Sequence, residues 1–367
     1  MTALNVKDIF NDLHQIPEVG FQEFKTSAYL ADKLEALGYE VTRNLGGTGV
    51  VGIVKGAEPG PVMLLRADMD ALPFVIDGEH KTIHACGHDA HCSMVLAAAS
   101  LLKDKVKRGT LKILFQPAEE TLGGALSIID AGVLEDVDFA VGLHIRPVQD
   151  LPFGKLSPAV HHSSSTFANI KITGRSCHGS RPHLGVNAVE TAAAIINAAT
   201  AIKVNPTVAW SCKATAVKGG GSAYNIIPDS AEVTFDVRSE TNEDMTELLD
   251  KLRRVAENVA EAYGAKAEFN LPGGVIPAAV LDPALTAEVA ECIKEVAGEE
   301  NLAAELKNPG GEDFHYFART YPDLKAAYFG VGVAAEPGLH DPNMHFNPDG
   351  LQAGVDVLEK ITLKKLG

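Results

Sequence analysis

The chain has 367 residues, of which 46% are hydrophobic and 22% charged, and it carries a formal net charge of -16. That length leaves room for two domains, and that balance is the one found in soluble globular proteins. An acidic chain with no basic block excludes nucleic acid and an anionic membrane surface as expected partners.

The opening stretch, "MTALNVKDIFNDLHQIPE", mixes polar and apolar residues and has no signal-peptide core. From Phe24 to Leu37 apolar residues recur at Phe24, Ala28, Ala31, Leu34 and Leu37, which is helical spacing, and Gly38 follows as a stop. "YEVTR", "GVVGIVKG" and "VMLLRAD" read as strands, with "AEPGP" as a turn between the last two. "HACGHDAHC", residues 84–92, concentrates three histidines, two cysteines and an aspartate ahead of an Ala/Leu/Met-rich helix over 89–102. "LKILFQ" is a short apolar run of the kind buried on both faces of a parallel sheet. A helix near 122–131 and the strand "FAVGLH" follow. Strands alternating with helices predict an α/β domain with a mainly parallel central sheet.

The pattern then changes. "HHSSS", residues 161–165, reads as a polar hinge. After it come a strand (167–173), a helix (186–202), strands at 207–217 and 231–239, a helix (242–263) and a strand (265–270). That β-α-β-β-α-β order predicts a ferredoxin-like α+β module over 164–274, inserted into an α/β domain made of 1–163 and 275–367. A helix from Pro283 to Val296, another around Phe314 to Arg319 and the strand "KAAYFGV" return to the α/β pattern. No stretch of about 18 uncharged apolar residues predicts a membrane-spanning helix. The five cysteines are odd in number and irregularly spaced, which predicts reduced thiols and a cytoplasmic setting.

Candidate ligands fall at strand ends on this map. Asp68 ends "VMLLRAD" and Asp70 lies just beyond it, Glu119 and Glu120 follow "LKILFQ", and His144 ends "FAVGLH". Cys86 and His88 sit in the loop entering a helix, and His345 lies in "NMHFNPDG" near the C-terminus. Ligands of open α/β sheets bind at the carboxyl ends of strands. Cys, His and carboxylate drawn from distant segments suit zinc or a similar divalent ion in a catalytic site. Asp89 and His91 stay open, Asp89 as a helix-start residue and His91 as a group packed behind the ligands.

"RADMDALP", "HACGHDAHCSM", "FQPAEETLGGA", "GLHIRP", "CHGSRPHLGVNAVE", "NIIPD", "FDVRS" and "GGEDF" run in order along nearly the whole chain. Together they resemble the M20 family of metallopeptidases and amidohydrolases, in its branch of bacterial aminoacylases, hippurate hydrolases and auxin-conjugate hydrolases. The resemblance implies two divalent ions per chain, zinc, manganese or nickel, held by Cys86, His88, Glu120, His144 and His345. It implies Glu119 as general base and Asp70 as a supporting carboxylate. It makes the inserted module a lid and dimerisation domain, with His178 helping to stabilise the oxyanion in the other subunit of a homodimer. Asn225, Arg238, Gly310 and Gly311 become the residues that hold the substrate's free carboxylate. "GLHIRP" departs from many relatives, which have an aromatic pair where Ile145 and Arg146 stand, so the substrate pocket is less constrained than the metal site.

The implied reaction is hydrolysis of N-acyl amino acids to a carboxylic acid and a free amino acid. A dipeptidase or carboxypeptidase of the same fold is the nearest alternative, since no motif decides whether the acyl group carries an amine. A non-catalytic binder of amino-acid conjugates is the alternative from another class. Glu119 speaks against it, because binding alone needs no general base.

Overall fold

The protein is described by a computed structural model covering residues 3–367. Contacts within the chain divide it into two compact units. The first runs to His161 and resumes over Val280–Lys307 and Asp313–Gly367. The second spans His162–Ala279 and takes in the short piece Asn308–Glu312, which nothing in the sequence pattern signals.

The first unit is built on a seven-stranded sheet. Its order is Glu40–Leu45, Gly49–Lys55, Arg108–Gln116, Glu58–Asp68, Phe139–Pro147, Lys325–Ala335 and Leu156–Ser157. The middle four strands pair in parallel and the edges are antiparallel, so the mainly parallel sheet read from the sequence is present. Strand residues alternate between two covered faces, which explains the unbroken apolar runs. Met63, Leu65 and Ala67 pack into one core with the helices Val6–His14, Phe24–Ala36, His88–Leu102, Pro283–Ala297 and Leu351–Leu366. Leu64 faces the other core, with Phe314, Phe317 and Tyr328. His88–Leu102 is buried almost all round, as its Ala/Leu/Met content requires.

The second unit carries a four-stranded antiparallel sheet ordered Trp210–Gly219, Ser230–Ser239, Ser164–Thr173, Lys266–Asn270. The helices Ala188–Ala199 and Asn242–Ala262 share its core. In chain order the strands stand 2-3-1-4 across the sheet, the ferredoxin-like arrangement. The polar run at 161–165, expected as a hinge, is mostly strand instead. Ser164 is fully buried and its hydroxyl donates to Ile276 O at 2.7 Å, so a polar residue is accommodated inside the sheet. Among the described residues, no helix is long and apolar enough to cross a membrane.

Candidate metal centre

The ends of neighbouring parallel strands bring the chemistry together. Asp68 stands opposite Gln116, and His144 stands opposite Gly330. His144 shares its face of Phe139–Pro147 with Gly142, where an added Cβ would meet Tyr328 at 2.6 Å. Cys86 and His88 arrive from a tight turn at Gly87, whose φ is 91°. A Cβ there would also lie 2.3 Å from Ile145 Cδ1, so glycine is required twice over at this point.

Among the described residues, four of the groups whose ligand atoms lie within 4.8 Å of one another meet here: Cys86 with His88 and His144; Cys86 with Glu120 and His340; His88 with Glu119 and Glu120; and Asp68 with His88 and His91. Cys86 Sγ is 3.4 Å from His144 Nε2. His88 Nε2 is 3.8 Å from Glu120 Oε1, and His340 Nε2 is 3.1 Å from the same oxygen. The two buried imidazoles have their other nitrogen occupied. His88 Nδ1 lies 3.1 Å from Asp70 Oδ1, and His144 Nδ1 lies 2.5 Å from Ile145 O. Holding Nδ1–H in this way leaves Nε2 as a lone-pair donor, the arrangement usual behind metal-binding histidines. His88 Nε2 is buried without a hydrogen-bond partner, a costly state for a polar atom unless a ligand completes it. Soft thiolate, imidazole and carboxylate around that atom fit a divalent transition ion.

Around the cluster lie buried polar side chains held by hydrogen bonds. Asp70 accepts from Glu119 N at 3.1 Å through Oδ1 and from Glu120 N at 3.0 Å through Oδ2. Arg66, fully buried, donates to Asp68 at 2.7 Å, to Asp313 at 2.8 Å and to Gln116 at 3.0 Å. His91 donates from Nδ1 to Asp68 Oδ1 at 2.6 Å, and its Nε2 accepts from Ile145 N at 3.0 Å. Both nitrogens of His91 are therefore used, which makes it a supporting group. Asp89 pairs with His14 at 2.6 Å and accepts from Ala90 N at the helix start.

The electrostatics favour a cation. Burial opposes charge on Asp68, yet the charges of His88, Arg66 and His91 hold it well below the usual carboxylate range. Burial likewise opposes the His88 cation, but the negative charge of Asp68 and the hydrogen bond to Asp70 outweigh it and lift His88 above its ordinary value while no metal ion takes the place of its proton. Burial, reinforced by the Glu120 charge, pushes the Cys86 thiol up, so a thiolate here needs a positive partner.

One expected residue lies elsewhere. His345 is on an exposed stretch, with its Nδ1 3.1 Å from Asn343 O and its Nε2 3.6 Å from Glu336. It belongs to none of the clusters. His340, five positions earlier in "GLHDPNMH", is the late histidine that joins a cluster, with Cys86 and Glu120, and its φ is 65°. The backbone bridge between Glu336 and His345 ties the later histidine away.

The remaining expected residues fall in the second unit, in two groups. His178 and Asn225 belong to neighbouring short segments, where Gly179 N donates to Asn225 O at 2.6 Å. His178 Nδ1 accepts from Ser180 N at 3.1 Å, which places the ring proton on Nε2. Arg238 sits with the glycine pair: its Nη1 donates to Pro309 O at 3.0 Å, and its Nε lies 3.1 Å from Asp236. Gly311 approaches so closely that a Cβ would meet Ser165 Oγ at 2.9 Å.

Residues 64–364 match the family described as Peptidase family M20/M25/M40. A hippurate hydrolase of Campylobacter jejuni is 32% identical over 376 residues, covering 98% of this chain and 96% of that protein. Thermostable carboxypeptidase 1 of Saccharolobus solfataricus is 35% identical over 342 residues, covering 88% of this chain and 84% of that protein. The crystal structure of a dinuclear metal binding peptidase of the M20 family from Bacillus subtilis superposes with a TM-score of 0.79 at 29% identity, covering 98% of this chain and 97% of the other.

Proposed function

Because the chain belongs to peptidase family M20/M25/M40, we propose that it is a metal-dependent amidohydrolase acting on N-acyl amino acids. It releases a carboxylic acid and a free amino acid, the chemistry named in the hippurate hydrolase to which it is similar. The observation that carries the reading is the buried Nε2 of His88, without a hydrogen-bond partner among Cys86, Glu120 and His144.

Cys86, His88, Glu120, His144 and His340 would hold the divalent ions, two per chain in this reading, and the presence of Cys86 in two of the ligand groups supports that count. When bound, such ions supply Lewis acidity to the scissile carbonyl and lower the pKa of water toward neutrality. The protein's own residues do the rest. Glu119, buried beside Glu120, takes the proton of the attacking water and delivers it to the departing amine nitrogen. Asp70 holds the amides of both glutamates and orients His88. Arg238, with its forked donors, is the candidate for the substrate's free carboxylate, together with Asn225, Gly310 and Gly311. His178 carries its proton on Nε2 and so can donate to the developing oxyanion. In the reading drawn from the family, it does so in a second copy of the chain.

The similar carboxypeptidase supports a second reading, in which the substrate's acyl part is itself an amino acid. Turnover of N-acetyl and N-benzoyl amino acids, set against dipeptides with a free amine, separates the two. The first reading predicts faster hydrolysis of the blocked substrates, with loss on chelation and recovery on adding metal back. Preference for free dipeptides establishes the second reading. Full turnover in metal-free protein overturns both.

A further inference from the structure

Glu23 is buried at 0% exposure and stands at the N-cap of Phe24–Ala36 without capping it. Short polar side chains are preferred there because they reach the first-turn amides. Glu18 does that work here, its Oε2 accepting from Lys25 N at 2.8 Å and from Thr26 N at 3.0 Å. The Glu23 carboxylate turns elsewhere. Its Oε1 accepts from Ala118 N at 2.8 Å, and its Oε2 accepts from the Thr48 hydroxyl.

Ala118 immediately precedes Glu119 and Glu120, and its φ is 54°. A side chain with a Cβ adopts that left-handed conformation only when its surroundings impose it. The imposing groups are visible. The N–H groups of residues 118, 119 and 120 all donate to buried carboxylates, the first to Glu23 and the next two to Asp70. The neighbours of Glu23 brace the same loops. A Cβ on Gly20 would meet Ala118 Cα at 3.1 Å, and Glu18 O accepts from Ala71 N at 2.8 Å, one residue past Asp70. The family match begins at residue 64, so this segment lies outside it.

We infer that Glu23 is a positioning residue for catalysis: its carboxylate clamps Ala118 N–H and so sets where the Glu119 carboxylate stands. The inference rests on the proposed role of Glu119. An amide can replace the acid in this role, with its oxygen on Ala118 N–H and its NH2 on the Thr48 oxygen, whereas an unbranched apolar side chain of similar length cannot.

The test compares Glu23→Met, Glu23→Gln, Thr48→Val and Glu119→Gln as metal-loaded enzymes on one N-acyl amino acid. Glu23→Met is expected to lose about tenfold or more in kcat with KM changed less than about twofold, as for a misplaced catalytic group. Glu23→Gln is expected to stay within about threefold of wild type, because the bond to Ala118 survives. Wild-type kcat in folded Glu23→Met, an equal loss in Glu23→Gln, or a loss confined to KM overturns the inference. If Glu23→Met does not fold, Thr48→Val decides: it frees one oxygen of the clamp, so a lowered kcat at constant KM is expected and an unchanged kcat overturns. Glu119→Gln separates the two layers. If it is inactive while Glu23→Met is normal, only the positioning inference falls; if it is fully active, the proposed base falls as well.

Discussion

Glu119 and Glu120 are adjacent, yet their amides donate to opposite oxygens of one aspartate, and only Glu120 belongs to the ligand group of Cys86 and His340. Their variants should therefore fail differently. Glu120→Gln should weaken metal binding and recover part of its activity in excess metal. Glu119→Gln should keep its metal and lose about 10²- to 10⁴-fold in kcat, the usual contribution of a general base. Metal content and kcat on each purified variant check this; loss of metal from Glu119→Gln but not from Glu120→Gln would exchange the roles. The late histidine gives a second contrast. His340→Ala should lower metal content, whereas His345→Ala should leave content and kcat within about twofold of wild type, as expected of an exposed side chain that belongs to no ligand group. Most of the proposed cluster was legible from residue type: Cys86, His88, Glu120 and His144 are ligand-type residues gathered at strand ends and in the loops beside them. The last candidate ligand was not, because two histidines five residues apart both follow the final strand. The Glu336–His345 bridge, the positive φ of His340 and its approach to Glu120 separate them, and none of these is written in residue type.

The elements that carry the site were readable where burial imposes a pattern. The helix His88–Leu102 and the strand Arg108–Gln116 announce themselves as apolar runs because both are covered on all sides. The hairpin Leu72–Ile76/Glu79–Ile83 escaped, although Asp77-Gly78 at its tip is a strong turn signal; its exposed strands lack a long apolar run. The short helix around Phe314 carries a buried histidine with a pH consequence. Burial, aided by the charges of Arg66 and His161, pulls His315 down from 6.5 to about 3. As pH falls below 6.5, the unfolded chain binds the proton first, so stability present at neutral pH is lost toward pH 3. Between pH 7 and pH 5 wild type should lose about 2 kcal/mol relative to His315→Gln, which has no such proton to take up. Urea unfolding of both proteins at the two pH values checks it; parallel losses would show that His315 does not titrate in this way.

At the scale of the molecule, the chain order alone exposed a ferredoxin-like module inside an α/β domain, because its strand-helix alternation differs from that of its host. The return of Asn308–Glu312 to the second unit was invisible, since five loop residues carry no periodicity. That return places Gly310 and Gly311 beside Pro309, whose carbonyl holds Arg238, and it motivates a test of the substrate's carboxylate. Arg238→Ala should cost a few kcal/mol in kcat/KM on N-acyl amino acids, about the range for a lost charge-assisted bond left unreplaced. It should cost far less on the matching amides; equal losses would remove Arg238 from the substrate. The central claim is that a divalent metal seated between Cys86, His88, Glu120, His144 and His340 makes this chain an amidohydrolase. Anomalous diffraction at the metal absorption edge, from crystals of the active loaded enzyme, tests it most directly. The account predicts anomalous peaks within about 2.0–2.4 Å of these side chains, as for zinc bound by nitrogen, oxygen and sulfur. A fully active, loaded crystal with no peak at this cluster, or with its peak at His345, would contradict it.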